Sequence, residues 1–170
     1  FGKMILKRYA DLGVPDIVRR MTTQPQGLIL VTGKTNSGKT TTLNLLIDLF
    51  QIVADHYEIK FNPENWEDEK DRWAYFDFCK KRIGICTSGD SAKTVNNNFK
   101  YFEDNQCDIA VCASHVWDAS GRAMDKKLKK LDVDYDTCRK TKNNGTAQEF
   151  AAVIFKNIID ELNINLNLKK

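Results

Sequence analysis

The segment that most constrains this chain is Gly33-Lys34-Thr35-Asn36-Ser37-Gly38-Lys39-Thr40, which has the spacing G-x-x-x-x-G-K-[ST]. An apolar run, Leu28-Ile29-Leu30-Val31, precedes it. After it, Leu43, Leu46, Ile47, Phe50 and Val53 recur at helical spacing. Strand, Gly-rich loop and helix in that order make an anion cradle. Gly33 and Gly38 allow successive backbone amides to turn inward around phosphate oxygens. The helix then points its partial positive end at the same anion. We therefore expect Gly33, Lys34, Thr35, Asn36, Ser37, Gly38, Lys39, Thr40 and Thr41 to bind a nucleotide. In that reading Lys39 reaches the outer phosphates during catalysis, the Thr40 hydroxyl coordinates Mg²⁺ and Thr41 touches the inner phosphate. The competing reading is a Gly-rich turn carrying an exposed lysine.

Composition narrows the setting. With 170 residues, 42% hydrophobic and 29% charged, the chain is long enough to bury a core without a metal or disulfide framework. The formal charge of +3 is too small to announce nucleic acid or membrane. Apolar stretches such as Leu28–Val31 and Ala151–Phe155 fall far short of a membrane span. Lys3, Lys7, Arg8 and Asp11 break any signal-peptide pattern. Five cysteines (79, 86, 107, 112 and 138) form an odd set without a CxxC pair. That argues against a secreted disulfide scaffold and a zinc site, and for a reducing, cytoplasmic compartment.

The remaining pattern alternates strands and helices. A helix is expected over Pro15–Met21, strands at Tyr57–Phe61, Trp73–Cys79 and Arg82–Thr87, and an acidic loop at 62–71. Lys80-Lys81 is short enough to close the last two strands as an antiparallel pair. Ala92, Val95, Phe99 and Phe102 mark a helix before the strand Ile109–Ala113. A short helix is expected near Arg122–Lys130 and a short strand at Leu131, Val133 and Tyr135. Thr146-Ala-Gln-Glu149 reads as a capping box opening a last helix. The expected fold class is α/β, a three-layer phosphate-loop NTPase with a mainly parallel sheet flanked by helices and one antiparallel strand pair. We read residues 1–170 as one nucleotide-binding domain, with a helical extension over 1–24 and a polar tail over 163–170.

Beyond the loop itself, Leu12-Gly13-Val14-Pro15 and Gln26-Gly27-Leu28-Ile29-Leu30-Val31-Thr32-Gly33, followed by Thr40-Thr41-Thr42-Leu43, resemble the secretion and pilus-retraction ATPases. The resemblance covers roughly residues 12–48; the remainder does not share it. It implies ATP, Mg²⁺ and a mechanochemical hexamer.

Phosphate-loop enzymes hold the metal's water shell with a carboxylate beyond a strand's carboxyl end. Asp108 precedes its strand and Asp77 lies inside one. Asp90 follows Ile83–Cys86 across Thr87-Ser88-Gly89, at the correct end. Asp90 is therefore the expected Mg²⁺ carboxylate or water-orienting base, with an N-cap for the helix near Ser91 as the alternative. His115, after the strand ending at Ala113, is placed to sense the terminal phosphate or shuttle a proton, against the plainer reading of a solvated loop histidine. Residues 122–142 hold eight Lys/Arg against four Asp, including Arg122 and Arg139. The interleaved acids argue against a nucleic-acid groove.

The element order resembles small GTPases, yet Thr87-Ser88-Gly89-Asp90 is not DxxG and NKxD occurs nowhere, which favours ATP. Mg-dependent ATP hydrolysis coupled to a partner is one reading. A small-molecule or nucleotide kinase, with residues 122–142 as a lid and Asp90 as base for the acceptor hydroxyl, is another. A nucleotide-binding module with little turnover is the third. Neither the protein partner nor the acceptor is named by the sequence.

Overall fold

The computed structural model describes residues 27–65, 70–115, 118–129, 135–141 and 144–162. The helix expected at Pro15–Met21 and the 1–24 and 163–170 segments lie outside the described residues. The chain runs β1 (Gly27–Thr32), α1 (Lys39–His56), β2 (Phe61–Asn65), β3 (Arg72–Phe78), β4 (Lys81–Cys86), α2 (Ala92–Asp104), β5 (Ile109–Ser114), α3 (Ala119–Leu128), β6 (Tyr135–Arg139) and α4 (Ala147–Glu161). The strands form one sheet in the order β2-β3-β4-β5-β1-β6. β1 pairs in parallel with β5 and β6, and β4 with β5, while β3 runs antiparallel to both β2 and β4. The α/β class with a mainly parallel sheet is as expected.

Period-two alternation divides the apolar residues of β1 between two cores. Ile29 and Val31 join Leu43, Leu46, Ile47 and Phe50 of α1 and Phe150, Ile154 and Ile158 of α4 on one face. Leu28 and Leu30 join Val95, Phe99 and Phe102 of α2 and Met124 and Leu128 of α3 on the other. A helix pair thus covers each face, giving three layers. Phe50 anchors the first core: it is 1% exposed, with ring centroids 4.6 Å from Phe76 and 4.8 Å from Phe155.

Two boundaries differ from the sequence expectation. The strand expected at Tyr57–Phe61 begins at Phe61 and runs to Asn65, into the expected acidic loop. The cause lies at the end of α1. Glu58 adopts φ 54, and the Ile59 amide donates to the Ala54 carbonyl (2.8 Å), a left-handed helix stop made without glycine. The β3–β4 turn lies at Cys79-Lys80, both at positive φ (50 and 64), one residue earlier than Lys80-Lys81. The register pairing Phe76 with Ile83 sets it, since both side chains belong to the first core. The last strand runs Tyr135–Arg139, where pairing with β1 aligns Leu28 with Tyr135 and buries Cys138; of the strand expected at Leu131, Val133 and Tyr135, residues 131–134 lie outside the described residues.

α3 begins at Ala119, three residues before the expected start, and α4 is capped by Thr146 as expected. Both halves of the capping box form, between Thr146 and Glu149. Among the described residues, no helix is long and apolar enough to cross a membrane.

Candidate functional site

Because β1, β4, β5 and β6 are mutually aligned, the loops after their carboxyl ends share one edge of the sheet. Those loops begin at Gly33, Thr87, His115 and Lys140. This is the edge where open α/β sheets place ligands.

The first loop enters α1 through left-handed backbone. Gly38 caps α1 in the left-handed conformation (φ 95), and Asn36 also has positive φ (61). α1 has no side-chain N-cap and no acidic residue in its first turn, so nothing on α1 neutralises its positive end. Lys39 is 5% exposed, and its ammonium donates to the Gly33 and Lys34 carbonyls at 3.0 and 3.1 Å. Burial lowers its pKa, while Asp90 and Asp118 push it back up. That coupling places both carboxylates within the electrostatic reach of the loop. The buried Ser37 and Thr42 hydroxyls have no hydrogen-bond partner among the described residues.

Gly33 is required by close approach. A Cβ there would overlap the Lys140 carbonyl oxygen and come within 2.5 Å of Ser37 Oγ. Lys140 itself had no special place in the sequence reading. It is 3% exposed, donates from its amide to the Thr32 carbonyl (2.6 Å) and directs Nζ to the Thr141 and Gly145 carbonyls (2.6 and 2.7 Å). Its ammonium lies 5.0 Å from the Phe150 ring centre. Burial lowers its pKa against the opposing field of Glu149. Lys140 thus ties β6 and the start of α4 to the phosphate loop.

The acidic candidates separate by position. Asp108, at the start of β5, accepts from the Arg82 amide at 2.8 Å. Asp77 is held by the Arg82 guanidinium at 2.7 and 2.8 Å, and the Asp77–Arg82 register puts both at the opposite edge from the loop. Asp90 is at the loop edge. The N-cap alternative for it does not hold: Ser91 is the N-cap of α2, accepting from the Thr94 amide at 3.1 Å. The Asp90 carboxylate instead meets His115 Nε2 at 2.8 Å.

His115 is accordingly not a solvated loop histidine. Its side chain is 14% exposed and its Nδ1 pairs with Asp118. Asp118, which the sequence reading did not single out, caps α3. It accepts from the Ser120 amide and hydroxyl (2.9 and 2.8 Å) and from the Gly121 amide (3.2 Å). Partial desolvation pushes its carboxyl up, but the Ser120 and Gly121 donors and the His115 charge outweigh that and bring it down to about 2. The local signal was there, Asp118-x-Ser120 just before a helix, an Asx cap.

Gly89 fits the Thr87–Asp90 loop closely against the end of β5, since a Cβ on it would overlap the Ala113 carbonyl. Asn98, buried in α2, supports that loop by donating to the Ser88 carbonyl at 2.7 Å. His56 is exposed at the far end of α1, and Arg122 and Arg139 are exposed. The segment read as a lid is, over Ala119–Leu128, a helix packed into the second core through Met124 and Leu128.

Sheet order, the strand–loop–helix unit and the left-handed Gly38 together define an α/β phosphate-loop protein. Comparison with known proteins narrows the resemblance: residues 11–59 match the family model of the type II/IV secretion system proteins. Over 47 residues the chain is 40% identical to the type IV pilus retractation ATPase PilT of Pseudomonas aeruginosa. That match takes in 28% of this chain and 14% of the relative's length. No solved structure matches. The described part of the family match is β1, the phosphate loop, α1 and the turn after it.

Proposed function

We propose that this chain binds ATP at the Gly33–Thr40 loop and hydrolyses it with Mg²⁺, coupling the cycle to a protein partner in a reducing, cytoplasmic setting. One observation carries the reading: a phosphate-type loop with a buried Lys39 sits in the field of Asp90, on the same edge of the sheet. The family match over the same segment, and the similarity to a pilus retractation ATPase, favour an ATPase over the kinase.

The residues fit both groups. The loop amides, the positive end of α1 and the orphaned Ser37 hydroxyl suit phosphate oxygens. Thr40 and Asp90 supply hard oxygen donors of the kind Mg²⁺ takes. When bound, the metal neutralises charge developing on the transferring phosphoryl group. The protein's own part is then positioning. Lys39 exchanges its loop carbonyls for outer phosphate oxygens, Thr41 reaches the inner phosphate, and Asp90 orients the attacking water. His115 holds Asp90 in place. The absence of NKxD supports adenine over guanine.

Release of labelled phosphate from γ-labelled ATP, with and without Mg²⁺, tests the reading. Label is expected as free phosphate, and Asp90→Asn is expected to retain ATP binding while losing Mg-dependent turnover. Label accumulating on an added metabolite or nucleoside would overturn hydrolysis in favour of phosphotransfer. Equal turnover in Asp90→Asn and the parent would remove Asp90 from the metal site.

A further inference from the structure

Thr40 and Asp90 stand on elements that do not meet through the sheet. Thr40 lies on α1, after β1, and Asp90 after β4, with β5 between those two strands. A second connection bypasses β5. One turn beyond Thr40, Asn44 donates from Nδ2 to the Lys70 carbonyl at 2.9 Å. A turn further on, Asp48 accepts from Arg72 Nη1 at 2.6 Å, and the same nitrogen lies 3.4 Å from the Asn44 carbonyl.

On its other side Arg72 grips the start of the Asp90 loop. The Thr87 amide donates to the Arg72 carbonyl (3.0 Å), and the Arg72 amide donates to Thr87 Oγ1 (2.8 Å). Trp73 and Cys86 are the last residues paired at this end of β3 and β4. One step further, a continued antiparallel ladder would bond the Arg72 amide to the Thr87 carbonyl. The hydroxyl takes that place, so the chain leaves the sheet at Thr87, which is fully buried, and reaches Asp90 three residues later.

We propose that Lys70–Arg72 is a strut between α1 and the Asp90 loop, with the Thr87 hydroxyl as its joint. Thr87 is then a positioning residue that sets where Asp90 stands relative to Thr40. The strut rests on the hydrogen bonds alone; its consequence for turnover rests on the ATPase reading. Without Oγ1, the acceptor left to the Arg72 amide is the carbonyl of residue 87, as in a regular ladder. Taking it extends β4 by one residue and draws Asp90 back toward the sheet.

Thr87→Val removes the hydroxyl and keeps the branched shape, whereas Thr87→Ser keeps the hydroxyl and drops the methyl. In protein free of nucleotide and metal, Thr87→Val is expected to shift the Asp90 backbone amide and, across the strut, the Asn44 side-chain amide. Thr87→Ser is expected to leave both near their parental positions. In ATP hydrolysis, Thr87→Val is expected to lower kcat about three- to tenfold, the worth of one hydrogen bond read as a population shift. KM is expected to stay at the parental value, and Thr87→Ser to keep most of kcat. Arg72→Met cuts the strut at its exposed end and is expected to shift the Thr87 and Asp90 amides in the unliganded protein.

Parental Asp90 and Asn44 signals in folded Thr87→Val would overturn the proposal. Equal losses of kcat in Thr87→Val and Thr87→Ser would also overturn it, because the methyl and not the hydroxyl would then matter. If Thr87→Val does not melt cooperatively, Arg72→Met decides alone, and unmoved Thr87 and Asp90 amides overturn the strut. If the parent does not hydrolyse ATP, the functional reading fails, while the amide shifts still decide the strut.

Discussion

Gly89→Ala is a small change with a large expected effect, because of what it meets. The backbone angles at Gly89 suit any residue, so conformation is no obstacle; space is. An added Cβ would overlap the Ala113 carbonyl carbon and oxygen and lie 3.0 Å from the Ser114 amide nitrogen. All three are backbone atoms at the end of β5, paired there with Val31 and Thr32 of β1, so they cannot swing aside. The Thr87–Asp90 loop must therefore retreat by roughly 1 Å, at an overpacking cost of about 1–3 kcal/mol. For a domain of this size that lowers Tm by about 2–12 °C. The retreat carries Asp90 off a 2.8 Å contact with His115. A misplacement of about 1 Å costs on the order of 10²-fold in rate when the displaced group is in the reaction. Thermal melts and steady-state phosphate release on the same preparation measure both effects. A variant that melts several degrees lower yet keeps the parental kcat would refute the link between this loop and turnover. One that changes neither would refute the packing argument.

Two further outcomes follow from local chemistry. Thr146→Ala removes the side-chain half of the α4 capping box, the bond from the Glu149 amide to Thr146 Oγ1, and is expected to cost about 1 kcal/mol in denaturant unfolding, leaving nucleotide affinity unchanged. Asp118 has its carboxyl brought down to about 2, below the ordinary 3.8, so its stabilising contribution is complete above about pH 4 and is lost as pH falls toward 2. Acid unfolding followed by circular dichroism is expected to show a shallower acid limb for Asp118→Asn than for the parent.

What the sequence disclosed was local. The phosphate loop was readable because strand, glycines and helix are contiguous, and the α4 cap because Thr146 and Glu149 are three residues apart. Asp90 was selected by the rule that ligands sit beyond the carboxyl ends of parallel strands, and the sheet does place it on that edge. His115 could be put on the same edge, but its two partners could not be named. Asp90 reaches it only because β5 lies beside β4, which no residue pattern states, whereas Asp118, three residues on, is legible in the sequence only as a helix cap. Lys140 was hidden for the same reason: an apparent member of a basic surface cluster is buried only because β6 pairs with β1 and delivers it to Gly33. The late start of β2 reflects a helix stop built on Glu58 instead of glycine, a stop that composition does not advertise.

The central claim is that the Gly33–Thr40 loop is a nucleotide site and that Lys39 is its principal cation. Calorimetric titration of the parent and of Lys39→Ala with ATP in the presence of Mg²⁺ tests it directly. Lys39 belongs to neither apolar core, so its replacement leaves both cores in place while removing two donors from the loop carbonyls. The parent is expected to bind one ATP, and the folded variant to lose about 10–100-fold in affinity, the worth of charge-assisted hydrogen bonds of about 1.5–3 kcal/mol. Equal affinities for ATP in a parent and variant that both melt cooperatively would contradict the account.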